Sequence, residues 1–490
     1  MSEAYDLIII GGGVNGAGVA RDAAGRGAKV LLLEKGDLAS GTSSKSTKLV
    51  HGGLRYLEYY EFALVREALG ERETVWQIAP HIVWPMRFIL PVTDGMRPRW
   101  MLRAGLFLYD HIGGKGRLKN TSSVNLKKHA AGAVLEKRYK RGFEYSDGWV
   151  DDARLVVLNA LDAAERGADI RTRTPVTSAR REGDIWHVEA GGDTFQARAI
   201  VNAAGPEADD LARLVGEHPA YGIRRVRGSH IVVPKLFDHD RAYILQQPDT
   251  RICFAIPWEN DFTLIGTTDA DHSGSVDEVQ ASAEEIRYLC DAANRYFKQD
   301  VTPDDVVHTY AGVRALVDDG SGRPEAATRG YKIALSDPSR GVPILGIYGG
   351  KITSYRHVAE DAVNKLAERL PVLKGASWTG KEPLPGGDFA FTAQPILFDV
   401  LREDYPFLSD TDVVRIGRAY GTRAGDWLGD AKSWSDLGRN FGAGLTEAEV
   451  DYLGRVEWAQ TAEDVLWRRT KQGVHMSEAE QAGLREFMGD

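Results

Sequence analysis

Four apolar residues, Leu7–Ile10, run directly into Gly11-x-Gly13-x-x-Gly16, a juncture that few chain arrangements tolerate. The apolar quartet reads as a parallel strand buried on both faces. A helix follows through Arg26, closed by Gly27, and Val30–Leu33 reads as a second strand ending at Glu34. In such a β–turn–α–β unit the first glycine permits the tight turn. The second lets backbone approach a pyrophosphate, and the third lets helix and strand pack closely. The helix N-terminus offers N–H groups and partial positive charge to phosphates. Glu34 is suited to accept hydrogen bonds from a ribose diol. A glycine-rich connector in a non-binding α/β domain is the alternative, and an acid at the end of the second strand argues against it.

The rest of the chain separates the two common dinucleotides. An NAD domain would continue with further βα units, whereas Glu34 leads into Thr42-Ser43-Ser44-Lys45-Ser46-Thr47-Lys48. A hydroxyl-rich stretch of this kind can line the phosphates and ribityl chain of an extended FAD, although a solvated polar loop would look the same. The distant Gly349-Gly350-Lys351-Ile352-Thr353 tips the balance. It follows the apolar run Ile344–Tyr348 and opens a helix, so its N–H groups can face the flavin N1–C2=O edge. Negative charge collects there on reduction, and a helix N-terminus stabilises it.

Bulk properties exclude other classes. Over 490 residues the formal charge is −9, from 61 basic and 70 acidic residues, so no nucleic-acid partner is expected. Two cysteines, Cys253 and Cys290, are too few for a disulfide framework or a thiolate metal site and fit a reducing, cytoplasmic compartment. No metal site is expected. No apolar run is long enough to span a bilayer.

Further along, Asp151 or Asp152 can cap a helix over Ala153–Arg166, followed by a hairpin or meander over Val176–Arg180 and Ile185–Glu189. Strands at Ala199–Asn202, His230–Val233, Ile252–Ile256 and Thr263–Gly266 suggest a mixed or antiparallel second sheet. A linker at Pro383–Gly387 precedes a helical region with capping boxes at Thr446-x-x-Glu449 and Ser477-x-x-Glu480.

The stretches Gly11–Gly27, Thr42–Leu57, Arg141–Leu155, Arg227–Pro234, Gly349–Arg356 and Leu466–Gly473 together resemble the FAD-dependent, quinone-linked glycerol-3-phosphate dehydrogenases of the aerobic type. The resemblance covers essentially the whole chain. It implies an α/β fold: an FAD-binding Rossmann-like domain (1–80, 145–215 and 335–380), an interleaved mixed-sheet substrate domain (81–144 and 216–334) and an all-helical C-terminal domain (388–490). It implies oxidation of sn-glycerol 3-phosphate to dihydroxyacetone phosphate, with electrons passed to a membrane quinone. Asn15, Val176 and Gly205 join the glycines Gly11, Gly13, Gly16 and Gly350, with Glu34, Thr42, Ser43, Ser44, Ser46, Lys48, Lys351, Ile352 and Thr353, in the implied cofactor set.

A dianionic phosphate calls for convergent cations. Arg55, beside Tyr56 in His51-Gly52-Gly53-Leu54-Arg55-Tyr56, Arg314 in Gly312-Val313-Arg314, and Lys351 match positions that the family uses around its substrate. Alcohol oxidation needs a base for the hydroxyl proton. His51 and His230 are the candidates, with no choice between them, and Lys351 or Arg314 can steady a developing alkoxide.

Met86–Arg141 holds thirteen Lys or Arg against three acids. Within it Arg99–Ile112 reads as a helix. Arg99, Arg103 and Asp110 fall on one stripe, and Trp100, Met101, Ala104, Phe107, Leu108 and Ile112 on the other side. A basic stripe, a broad apolar face and a tryptophan suit an anionic lipid surface, here the inner face of the cytoplasmic membrane; a core helix with solvated basic residues is the alternative. An oxygen-reducing glycerol-3-phosphate oxidase, an amine or amino-acid oxidase, and a catalytically idle flavoprotein scaffold remain rivals. The run Trp467–Lys471 can face either the flavoprotein or a second subunit, so a homodimer stays open.

Overall fold

The computed structural model describes residues 4–93, 97–114, 116–318, 330–337, 339 and 341–490. The N-terminal unit forms β1 (Leu7–Ile10), α1 (Val14–Gly25) and β2 (Val30–Leu33). Every residue of both strands is buried, because β1 lies inside a six-stranded sheet. The order across it is Tyr331–Leu335, Ile344–Gly349, Ile200–Asn202, β1, β2 and Asp169–Arg171. All pairings are parallel except that of the edge strand Tyr331–Leu335. On one face α1, the helix Asp152–Glu165 and the helix Tyr355–Leu366 share a core rich in small side chains, among them Ala20, Ala23, Ala160, Ala163 and Ala362. Small contact residues let those helix axes come close. On the other face an antiparallel three-stranded sheet, Val176–Glu182, Ile185–Ala190 and Asp193–Ala197, buries Trp186, Val188 and Phe195 against Ile8, Ile10 and Leu31.

The second sheet has ten strands and mixed direction. Its centre is antiparallel, from Ile223–Pro234 through Phe262–Gly266 and Ile252–Trp258 to Ala242–Gln246, which then pairs in parallel with Val83–Pro91. His308–Val317 runs antiparallel along Ile223–Val232. Gly142–Val150 and Leu49–Val50 also belong to this sheet. The expected boundary at residues 144 and 145 therefore cuts through one strand. Tyr331–Leu335, expected largely in the substrate domain, is an edge of the dinucleotide sheet. Apolar strands of both sheets look alike in sequence, so alternation could not assign them.

Asp151 caps the helix Asp152–Glu165 by accepting the Arg154 N–H. The Ser477–Glu480 capping box is present. Thr446, by contrast, makes no side-chain cap, because Glu449 is drawn instead to the Arg415 guanidinium at 2.7 Å and the Tyr420 hydroxyl at 2.7 Å. The C-terminal domain has its own core around Val413, Ile416, Tyr420, Leu453 and Leu466. It docks on the flavoprotein through Trp467–Lys471. Trp467 stacks on His308 with centroids 3.9 Å apart, Arg468 and Arg469 grip Asp37, and Lys471 pairs with Asp151.

The helix Arg99–Ile112 turns its apolar face outward. Trp100 is 71% and Phe107 58% exposed, with Leu108 and Met101 beside them. Its inner side buries Leu106 and Tyr109 in a hydrophobic core, and the polar residues flank that contact: Arg103 donates to Thr121 O and Asp110 accepts from the Thr121 N–H and hydroxyl. Asp94 and Lys115, counted in the basic segment, lie outside the described residues. No helix among the described residues is long and apolar enough to cross a membrane.

Candidate active site

A cleft of about 2300 Å³ is lined by residues of both sheets, among them Gly11 and Gly13 of the glycine turn and the side chains of His51, Arg55, Arg314 and Lys351. Gly11 has φ +115°, and a Cβ there would lie 2.6 Å from Ala203 O. A Cβ on Gly16 would lie 1.9 Å from Gly11 O, so α1 could not pack on β1. At Gly13 the only atom within reach is Ser43 Oγ, at 3.1 Å, and the backbone stands open to the cleft. These are the three separate demands that the spacing predicts. Gly13 begins α1 with no side-chain cap, and the Val14 N–H donates to Ser43 Oγ.

Glu34 lies in the cleft wall, its carboxylate accepting from Gly12 N–H at 2.5 Å and Gly36 N–H at 2.7 Å. Burial pushes its pKa up against those two hydrogen bonds. Val176 and Gly205 line the same cleft. Asn15 also reaches the wall, with its Nδ2 3.4 Å from Gly349 O and its buried Oδ1 without a protein partner among the described residues. An orphaned acceptor of this kind fits a ligand that donates to it. The cradle at Gly13, the acid at Glu34 and this acceptor together fit a dinucleotide.

The hydroxyl run divides. Thr42, Ser43 and Ser46 line the cleft; Thr42 donates to Val313 O and Ser46 to Asp152. Ser44 and Lys48 stand behind the wall, where the Lys48 ammonium is buried against both Asp152 oxygens, at 2.8 and 2.7 Å, and Ser44 O. Burial pulls its pKa down, while Asp152 opposes that shift. Gly349 and Gly350 both have positive φ; a Cβ on Gly349 would meet Gly330 O at 2.8 Å, whereas Gly350 has open space to 3.6 Å. Lys351, Ile352 and Thr353 follow on the wall, and Thr353 Oγ1 accepts the His51 N–H.

Arg55 and Tyr56 also line the cleft, and the Lys351 ammonium sits 3.7 Å from the Tyr56 ring centroid. Arg314 is held by the Asp269 carboxylate, Thr268 O and Thr267 Oγ1, which fixes the plane of its guanidinium. His51 borders the cleft. His230 does not: it is 1% exposed, stacked on Tyr310 and bonded at 3.0 Å to Thr47 Oγ1, and Thr47 is the residue in the wall. Burial, with Arg314 and Lys48 nearby, drives the His230 pKa well down and keeps the ring neutral.

Asp269 and Thr267 escaped the reading of the sequence, whereas Thr47 belongs to the hydroxyl run that it singled out. Only the polar run Thr267-Thr268-Asp269 after an apolar strand could have signalled the first two. No group of His, Cys, Asp and Glu among the described residues could hold a metal.

The FAD dependent oxidoreductase family model matches residues 6–356, and that of the C-terminal domain of alpha-glycerophosphate oxidase matches 377–487. D-erythritol 1-phosphate dehydrogenase of Brucella abortus is 52% identical over 99% of this chain and 98% of its own length. Aerobic glycerol-3-phosphate dehydrogenase of Escherichia coli is 47% identical over 99% and 97%. The solved glycerol-3-phosphate dehydrogenase of Bacillus halodurans, complexed with FAD, superposes with TM-score 0.78 at 26% identity, covering 100% of this chain and 94% of that one. A glycine cradle shaped for a dinucleotide, cations lining the same cleft and full-length similarity lead to one conclusion: the chain belongs to the FAD-dependent glycerol-3-phosphate dehydrogenase family.

Proposed function

We propose that the enzyme oxidises sn-glycerol 3-phosphate at C2 to dihydroxyacetone phosphate and passes the electrons to a membrane quinone. The observation that carries this reading is that Arg55, Arg314, Lys351 and His51 all line the cleft that the glycine turn also lines. FAD, when bound, accepts the hydride. Arg55 and the Asp269-oriented Arg314 bind the phosphate. Lys351, beside Tyr56, adds positive charge against the developing alkoxide. His51 takes the hydroxyl proton, since it borders the cleft, while neutral His230 orients Thr47 from behind. Gly11, Gly13, Asn15, Glu34, Thr42, Ser43, Val176, Gly205 and Gly350 to Thr353 hold the dinucleotide.

The quinone and the membrane are supported by one feature. Met101, Leu102 and Leu106 of the helix Arg99–Ile112 line the same cleft as Leu54, Leu57 and Phe88, giving it an apolar arm beneath the exposed Trp100 and Phe107. An apolar acceptor dissolved in lipid could use that arm, with the helix lying on the inner face of the cytoplasmic membrane. A second reading takes D-erythritol 1-phosphate as substrate, favoured by the 52% identity to the Brucella enzyme. Both compounds present a phosphomonoester next to a secondary alcohol, so the same cations serve either.

Anaerobic bleaching of the flavin by each compound in turn tests the reading. Faster bleaching by the four-carbon phosphate would replace the substrate, and no bleaching by either would remove the dehydrogenase assignment. Hydrogen peroxide formed in place of reduced quinone would make the enzyme an oxidase.

A further inference from the structure

The Asp464–Arg469 turn of the C-terminal domain reaches the cleft, where Glu463 and Arg468 line it with Gly13 and Glu34. Three residues beyond Glu34, Asp37 is 3% exposed and held by two arginines of that turn. Arg468 Nε donates to Asp37 at 2.6 Å, and Arg469 donates to both Asp37 oxygens at 2.8 Å while also bonding Glu457 O. The segment that Asp37 belongs to is tied to the glycine turn, since the Ala39 N–H donates to Gly12 O at 3.1 Å.

The turn grips the other side of this segment as well. Arg173 donates its backbone N–H to Gly36 O at 2.7 Å and its guanidinium to Asp464 at 2.7 Å; its neighbour Thr174 donates to Glu34 O. Asp464 also pairs with Arg468. A continuous series of charges, the half-buried Arg173 and the buried Asp464, Arg468, Asp37 and Arg469, thus surrounds the residues that follow Glu34. Removing one partner of a buried ion pair is costly, so this contact is held firmly.

We propose that the C-terminal domain is the retaining element of the FAD site: its Asp464–Arg469 turn holds the Glu34–Ala39 segment against the glycine turn, and the cofactor leaves only when that turn lets go of Asp37. Asp37, Arg468 and Arg469 are positioning residues here, acting on the dinucleotide through Glu34 and Gly36. The proposal rests on the reading that this cleft holds FAD.

FAD release from the full-length holoenzyme is the test, followed by the rise in flavin fluorescence after dilution. Asp37→Asn keeps the shape and removes the charge that both arginines bind. Trp467→Ala loosens the same turn from its His308 side and leaves no buried charge unpaired. Both are expected to release FAD faster by about tenfold or more, a usual size for coupling between two sites. KM for glycerol 3-phosphate at saturating FAD should stay where it is, which separates retention from general damage. Release from Trp467→Ala at the parent's rate would overturn the proposal, even if Asp37→Asn fails to fold. A parent protein purified without FAD and unable to take it up would instead overturn the reading of the cleft.

Discussion

Arg314→Ala followed by Asp269→Asn in the same chain probes the cations of the cleft most sharply. In the folded protein the Arg314 guanidinium is bound to Asp269, Thr268 O and Thr267 Oγ1, and the Asp269 side chain is only 13% exposed. Removing the arginine loses a charge-assisted contact to the phosphate, worth roughly 1.5–3 kcal/mol. It also leaves a half-enclosed carboxylate facing a dianion, a repulsion of roughly 1–3 kcal/mol at about 6–8 Å and an effective dielectric of about 40–80. The sum is roughly 3–5 kcal/mol, a fall of about 10²–10³-fold or more in kcat/KM. Asp269→Asn removes the repulsion alone, so the double variant should recover about tenfold over Arg314→Ala. Asp269→Asn by itself should cost less, since Thr267 and Thr268 still hold the guanidinium. The assay is steady-state reduction of a soluble dye, with flavin absorbance confirming that FAD remains bound. A double variant no better than Arg314→Ala would refute the assignment of Asp269 as a carboxylate that matters through its charge.

Gly16→Ala puts a methyl group 1.9 Å from Gly11 O and should cost at least the ~1–3 kcal/mol of an overpacked core, read as a lower unfolding midpoint and loss of bound FAD; normal FAD content would contradict the packing role. Replacing Trp100, Phe107 and Leu108 together by Ser should release the enzyme from anionic vesicles while soluble-dye turnover persists, and continued sedimentation with vesicles would count against the helix. Asp464 is held at about 2: burial alone would raise it, but the Gln460 N–H and the Arg468 and Arg173 guanidiniums outweigh that. A depressed carboxylate stabilises the fold above its unfolded pKa, so roughly 2 kcal/mol is present at neutral pH, about half is gone by pH 3, and the remainder fades towards pH 2. Denaturation of the parent and of Asp464→Asn at stepped pH should show that gap narrowing below pH ~4; a gap that stays constant would exclude the ion pair as its source.

Much of this site was written locally. The glycine turn, the Asp151 cap and the ends of the helix Arg99–Ile112 each depend on residues within a few positions of one another, and steric or capping rules apply directly to them. What escaped depends on partners far along the chain. Lys48 lies in a hydroxyl run but turns inward because Asp152, a hundred residues on, offers a buried carboxylate. Glu449 abandons the Thr446 cap for Arg415 and Tyr420, a choice that tertiary contact alone decides. Asp269 matters only because His308–Val317 carries Arg314 alongside Ile223–Pro234, and that pairing leaves no trace in either segment. Even the amphipathic stripe was ambiguous in one respect: periodicity separates two faces without saying which of them meets the protein.

The strand order of the dinucleotide sheet bears on how such a chain is made. Its first-synthesised strand, β1, lies between β2 and Ile200–Asn202, and the latter in turn pairs with Ile344–Gly349. The sheet is therefore incomplete until some 70% of the 490 residues have left the ribosome. At ~5–20 residues per second, the sheet waits on the order of 20–70 s after Leu7–Ile10 for its strand Ile344–Gly349. During that interval the wall of the cleft is incomplete, so nucleotide loading belongs to the closing moments of synthesis or follows it. Nascent chains halted before Ile344 should then depend on chaperones, whereas chains that have passed the second glycine pair can complete the sheet by themselves.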